Sequence, residues 1–400
     1  MQRRQFSMGL GAASLLGMGI SENALAQQAP QGVTATEIKI GATMGVTGAA
    51  ALPAQGYRAA VEAAIAEVNE AGGINGRKFQ FVVFDDGFDI QRSVANIRRL
   101  VDSEKVYAMT VCTGSPNLPA SWPFLKSKGI PMFAPTLPPD PRQQNVFMLG
   151  TGHFDQARVI VDFLASKGVK SVAVFRQDTD LGKAIEDGVK KQIPGSGITL
   201  ATTVVTEIQG TDLSSAVQKA RDANPDAVVL GTDPTQSTLI LQAMGKIGWA
   251  PVIMGNSSTI STGSTATVGP AGKAAAGSYG TIVAEPPTST AAGVVAWRNA
   301  IIKHRPAFNK PEFVPGQLGY SAMQVFFEII RRMGNDFAWT NFINTAESLR
   351  GFETNSLPPV TYGKDFESGG HMGTRGAIVQ QWDGTKWTRL TTGFIQPINR

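Results

Sequence analysis

Three hydroxyl side chains stand where apolar segments end and the chain turns. Thr113 and Ser115 lie in Cys112-Thr113-Gly114-Ser115-Pro116, after the apolar residues 106–111, and Thr136 lies in Pro135-Thr136-Leu137-Pro138, after the apolar residues 130–134. A hydroxyl can donate to a carboxylate oxygen, and a helix opening at Pro116 offers unpaired backbone N–H groups to the same anion. The bland alternative is that Thr113 and Ser115 only cap that helix. Asp233, in Gly231-Thr232-Asp233-Pro234, is a second kind of candidate: an acceptor for an ammonium group, or the N-cap of a following helix.

Other chemistries find little support. The histidines are His153, His304 and His371, no two of them at metal-binding spacing, and H-E-x-x-H does not occur. Ala276-Gly277-Ser278-Tyr279-Gly280 has Ala where a nucleophile elbow needs its first Gly. No phosphate-binding Gly-rich loop follows a strand, and Gly150-x-Gly152 lacks a third glycine. Asp85 and Asp86 are neighbours and would face opposite ways in an extended segment, which suits a turn at a strand end better than acid/base work. Cys112 is the sole cysteine, so no internal disulfide can form, and its apolar setting reads as a small buried hydrophobe. The expectation is therefore no enzyme, no cofactor and no metal.

These residues need elements to position them, and strand-like and helix-like segments alternate for most of the chain. Strands are expected at 37–42, 79–84, 107–112 and 130–134, with helices at 56–71, 90–102 and 116–128 between them. The pattern resumes with strands at 171–175, 199–205, 227–230 and 252–254 and helices at 159–167, 181–192, 213–223 and 236–247. Each strand–helix–strand unit implies a right-handed crossover and a parallel sheet. Helices at 294–303 and 320–332 and a hairpin closed by Asp383-Gly384 complete the chain. Four hundred residues exceed one ordinary core and suit two α/β lobes.

Composition agrees. Hydrophobic residues make up 42% and charged residues 17%, which is globular rather than disordered. The net charge of +5 comes with basic residues interspersed among acids and no long basic run, so nucleic acid is not an expected partner. The N-terminus reads as an export signal: Arg3-Arg4-Gln5-Phe6, an apolar stretch at 8–20, and the A-x-A site Ala24-Leu25-Ala26. The paired arginines suggest twin-arginine export, with cleavage after Ala26 and release into the periplasm. Without a cysteine after Ala26, a lipid anchor at the new N-terminus is not expected.

The element order resembles the leucine/isoleucine/valine-binding branch of the type I periplasmic binding proteins. The residues that carry the likeness are Glu37-Ile38-Lys39-Ile40-Gly41, Thr47-Gly48, Val68-Asn69-Glu70-Ala71-Gly72-Gly73-Ile74-Asn75-Gly76-Arg77, Asp85-Asp86, Cys112-Thr113-Gly114-Ser115, Thr211-Asp212-Leu213-Ser214, Pro225-Asp226-Ala227 and Tyr362-Gly363-Lys364-Asp365-Phe366. The resemblance implies two doubly wound parallel-sheet lobes joined by a three-stranded hinge, residues 37–151 plus 284–352 forming one lobe and 152–283 plus 353–395 the other. Its crossovers would fall near 151–153, 283–285 and 352–357. It implies a monomeric substrate-binding component of an ABC importer, working with an inner-membrane permease and closing on a small carboxylate-bearing solute. A periplasmic sensor for a membrane receptor is the alternative, and a hydrolase the remoter one. The family's carboxylate contacts match Thr113 and the neighbourhood of Thr136. Its aromatic positions fall on Pro53, Leu181 and about Asp233, and its hydroxyl beyond Thr136 on Pro138. The acid that takes the ligand ammonium falls on about Ser257. These departures leave the solute open; Thr113, Ser115, Thr136, Asp233 and Ser257 are the expected contacts.

Overall fold

The computed structural model describes residues 30–48, 51–113, 118–136, 143–208, 210–260, 265–310, 316–365 and 369–399. The expected export signal lies outside them. The first half of the chain runs β1 (Glu37–Met44), α1 (Ala51–Glu70), β2 (Lys78–Asp85), α2 (Ile90–Asp102), β3 (Ala108–Thr110), α3 (Trp122–Lys128), β4 (Met132–Phe133) and β5 (Val146–Thr151). The alternation continues through α4 (His153–Ser166), β6 (Ser171–Gln177), α5 (Asp180–Gln192), β7 (Thr199–Thr206), α6 (Ser214–Asp222), β8 (Ala227–Gly231), α7 (Pro234–Lys246), β9 (Val252–Gly255), α8 (Thr265–Ala271) and β10 (Tyr279–Ile282). The last part comprises α9 (Ala292–His304), α10 (Gly316–Met333), α11 (Trp339–Glu347), β11 (Met372–Thr374), β12 (Ile378–Trp382) and β13 (Trp387–Arg389). Helices α8 and α11 and strands β5 and β11 add to the anticipated elements.

Local chemistry sets the helix ends. Asp89 caps α2 by accepting the Arg92 N–H, and Thr179 caps α5 by accepting the Gly182 N–H. Helix α3 stops at Gly129, whose left-handed backbone a larger residue would resist.

The strands form two sheets. The first has the order β11-β5-β4-β3-β1-β2 and is parallel throughout. The second has the order β13-β12-β10-β9-β8-β6-β7; β6 to β10 are parallel, while β12 and β13 add as an antiparallel edge. In each sheet the winding reverses beside its first strand, between β1 and β3 and between β6 and β8. Such a reversal opens a crevice at the carboxyl ends of the strands, because the helices leave in opposite directions. The α/β fold of two wound sheets is the one anticipated.

Each sheet has its own core. The first buries Phe79, Phe133, Phe147, Phe326 and Phe342 with α1 and α10. Helix α10 turns Met323, Phe326, Phe327 and Ile330 inward, as its spacing predicts. It crosses α1 so closely that a Cβ on Gly316 would lie 2.3 Å from the Gly56 carbonyl oxygen. Separate clusters pack against the second sheet.

One expectation needs correction. Residues 353–374 do not return to the second sheet at 352–357. β11 pairs in parallel with β5 (Met372↔Met148, Thr374↔Thr151), and Val360 and Tyr362 are buried in the first core. The return to the second sheet comes between Thr374 and Ile378. The chain thus changes sheets after Thr151, after Ile282 and after Thr374. The first and third of these are tied together: Thr151 Oγ1 lies 3.1 Å from Thr374 Oγ1 and donates to the Gly376 carbonyl at 2.7 Å.

Candidate functional site

The reversal point of the first sheet is built around Thr113. Its N–H donates to the Thr43 carbonyl at 3.1 Å, and its Oγ1 accepts the Gly45 N–H at 3.3 Å. The residue is only 7% exposed. With the oxygen accepting from Gly45, the hydroxyl proton has no acceptor among the described residues and is available to an incoming oxygen. Thr136 stands beside it, its N–H donating to the Cys112 carbonyl at 3.1 Å. Ser115 lies outside the described residues.

The backbone here is strained. Val111 (φ 49°) and Ala134 (φ 51°) end adjacent strands in the left-handed region. A β-branched residue such as valine strongly disfavours that region, and strain of this kind concentrates at functional sites. It is held by sheet bonds: Val111 N–H to Phe133 O at 2.8 Å and Ala134 N–H to Phe147 O at 2.7 Å. Neither position carries the glycine that would announce it in a sequence.

The acid pair serves as a turn. Asp86 accepts the Thr43 hydroxyl (2.8 Å) and the Phe88 N–H (2.9 Å). Burial pushes its carboxyl above the usual range, although those bonds oppose the shift. At Asp85 burial pulls the same way, but bonds from Thr47 and Gly87 outweigh it and hold the carboxyl below its usual range. Burial raises the Cys112 thiol to about 12, which leaves it protonated and unreactive at neutral pH.

At the second reversal point Asp233 is the N-cap of α7. Its Oδ1 accepts the Gln236 N–H at 2.9 Å and its Oδ2 accepts Gln177 Nε2 at 2.7 Å, while Gln177 Oε1 accepts the Asp233 N–H at 3.0 Å. The neighbouring β6–α5 turn needs glycine at 182, where a Cβ would sit 2.1 Å from the Gln177 carbonyl oxygen. Arg176 is ion-paired to Asp178 at 2.8 Å in this turn. Ser257 lies at the end of β9, its N–H donating to Gln156 Oε1 at 2.9 Å. That same oxygen accepts the Thr281 hydroxyl at 2.9 Å, and Gln156 Nε2 donates to the Thr151 carbonyl at 2.9 Å.

The structure therefore brings Thr113 and Thr136 together at one crevice and places Asp233 with Gln177 at the other. Ser257 sits beside the first crossover through Gln156. Between described residues no hydrogen bond joins the two crevices. Gln156 is a polar residue that sequence reasoning missed, since its partners Ser257 and Thr281 are remote in the chain. Cavities lined by described residues include one of about 400 Å³ beside Glu285 and Asn355 and one of about 560 Å³ beside Arg350 and Arg375. Neither touches Thr113, Asp233 or Ser257. Among the described residues no acid, histidine and cysteine cluster could hold a metal ion, and no helix is long and apolar enough to cross a membrane.

The chain is similar to known proteins. A family model described as periplasmic binding protein matches residues 37–386. The leucine-, isoleucine-, valine-, threonine-, and alanine-binding protein of Pseudomonas aeruginosa is 28% identical over 238 residues, 58% of this chain and 63% of that protein. The match thus spans less than two thirds of that relative's length. Among solved structures, a branched chain amino acid ABC transporter protein from Thermus thermophilus with bound valine superposes with a TM-score of 0.68 at 17% identity, covering 92% of this chain and 98% of the other. A fatty acid ABC transporter substrate-binding protein from Thermomonospora curvata gives 0.67 at 19% identity, covering 92% and 95%. At these identities the superpositions speak for the fold. The family match extends from the start of β1 almost to the start of β13, across both sheets and all the crossovers, and by it the chain belongs to the periplasmic binding protein family.

Proposed function

We propose that the chain is the substrate-binding component of an ABC importer, taking a small carboxylate-bearing solute between two lobes that close over it. The observation that carries this reading is the Thr113 hydroxyl, nearly buried at a sheet reversal point with its oxygen bonded by Gly45 and its proton unspent. Relatives named for amino acids and for a fatty acid support it, because a carboxylate is the group those ligands share. Thr136 and Ser115 join Thr113 on the first lobe. Asp233, already capping α7, keeps lone pairs that can meet a solute from the second lobe, and Ser257, held near the first crossover by Gln156, is the further contact there.

In this reading residues 37–151 and 284–374 form one lobe and 152–283 and 375–395 the other. The chain is exported by the twin-arginine signal, cleaved after Ala26, acts as a monomer in the periplasm and delivers its solute unchanged to a membrane permease. Binding is the whole of its work, with no reaction and no cofactor.

A thermal-shift screen of amino acids and aliphatic and aromatic acids identifies the solute, since a ligand selective for the native state raises the melting temperature. Thr113→Val is then expected to weaken that solute by about 1–3 kcal/mol, roughly five- to 150-fold. An affinity unchanged by Thr113→Val, or melting shifts as large with the neutral amides as with the acids, would rule the assignment out.

A further inference from the structure

The third crossover carries charge that the solute-binding reading does not use. The cavity of about 560 Å³ beside it is lined by Arg350 and Arg375, together with Thr361, Tyr362 and Gln396 and the backbone of several glycines. None of its lining residues is acidic.

Arg350 is fixed by backbone. Its Nη1 donates to the carbonyls of Glu347 (2.6 Å), Leu349 (2.9 Å) and Tyr362. No carboxylate pairs with it among the described residues, and its Nε and Nη2 make no hydrogen bond there. The nearby Glu347 carboxylate is turned to His371, 3.2 Å away. Arg375 donates from Nη2 to the Gly369 carbonyl at 2.9 Å. Its acid is Asp155, with Nε 3.9 Å from Oδ2, but Asp155 Oδ1 is already held by Arg158 at 2.9 Å. Two guanidinium groups thus face one cavity with a single shared carboxylate between Arg375 and Arg158. Like charges so placed repel, and planar donor forks match the oxygens of a carboxylate or phosphate. Thr361 adds a donor: its Oγ1 accepts the Gly351 N–H at 2.9 Å, which leaves its own proton free.

We propose that this cavity is a second ligand site, which binds a small oxyanion, a phosphate- or carboxylate-bearing molecule, between Arg350 and Arg375. The position gives the site a further role. Arg350 follows α11 on the side of the first sheet, Arg375 lies in the segment that passes from β11 to β12, and Gln396 follows Ile395, which bridges to Ala377 at the second sheet. An anion held by all three spans the crossover. If its affinity differs between lobe arrangements, solute and anion must change each other's affinity by the same factor.

The test uses the mature full chain with inorganic phosphate and with citrate, against sodium chloride at equal ionic strength, followed by isothermal titration and thermal shift. Saturable binding of phosphate alone assigns the site to phosphates, of citrate alone to carboxylates, and of both to oxyanions generally. Saturation by neither overturns the proposal. Arg375→Gln is expected to weaken the bound anion about tenfold, and Arg350→Lys, which keeps the charge but loses the fork, several-fold. Lys364→Gln, an exposed cation outside the lining, is expected to leave the affinity unchanged. Equal losses in Lys364→Gln and Arg375→Gln, or no loss in Arg375→Gln, would show general surface attraction and sink the assignment. Should Arg375→Gln fail to fold, Arg375→Lys replaces it, with a several-fold loss expected and an unchanged affinity counting against the site. Citrate carries carboxylates that the Thr113 site is proposed to take, so binding counts for this cavity only where Thr113→Val leaves it unchanged, and failure here leaves the solute-binding reading standing.

Discussion

Ala134 is the residue at which site and stability pull apart most plainly. Its φ of 51° places a Cβ in the left-handed region, at a cost on the order of 1–2 kcal/mol that glycine would not incur. Glycine in turn loses more backbone entropy on folding, by roughly 0.5–1 kcal/mol. Ala134→Gly is therefore expected to raise stability by about 0.5–1 kcal/mol, read from the urea midpoint at constant m. The same change frees the segment that carries Thr136 and should weaken solute binding. A lowered urea midpoint would mean that the strain is illusory. Thr113 and Thr136 were legible as strand-end hydroxyls, because an apolar run followed by a small polar turn is a local pattern. The strain behind them was not, because positive φ is announced in a sequence by glycine and here it falls on Val111 and Ala134.

The helix α7 shows how much one cap can hide. Gly231-Thr232-Asp233-Pro234 leaves open whether Asp233 caps or binds, and the structure shows that it caps, with Gln177 bonded to its second oxygen. Asp233→Ala is expected to cost about 1–2 kcal/mol of stability by orphaning the first turn of α7, and Asp233→Asn to keep most of it. Chemical denaturation of the two variants checks this. An Asp233→Ala protein as stable as its parent would show that the cap contributes nothing. The cap signature, Asp before Pro, is written locally. The Gln177 partner comes from β6, on the other side of a reversal in strand order, and no local pattern predicts it.

At the scale of the molecule the crossovers join the two sheets, and the proposed closure would turn on them. Lobe closure around a ligand in periplasmic binding proteins is a hinge movement. The Thr151 hydroxyl joins the first and third crossovers through Thr374 and Gly376. Thr151→Val leaves those buried oxygens short of a partner and should cost about 1–3 kcal/mol of stability. Because it leaves the Thr113 contact intact, any change in solute affinity reports on the open–closed balance. Small-angle scattering with and without solute checks the closure itself: the radius of gyration of the parent should fall on binding. A radius that does not move with saturating solute would argue against a closing cleft.

The alternation of strand and helix, the two wound sheets, the buried face of α10 and the hairpin at Asp383-Gly384 were all determined by the sequence alone. Each rests on periodicity or turn chemistry within a dozen residues, and local physics suffices there. The path of the crossovers was decided by tertiary structure. β11 is three residues long, too short for a period to show, and its partner β5 lies more than two hundred residues earlier. Whether residues 353–374 belong to one sheet or the other depends on which open strand edge they can pair with and which core Val360 and Tyr362 can reach. Those are long-range contacts, whose free energy exists only once the rest of the chain has folded around them.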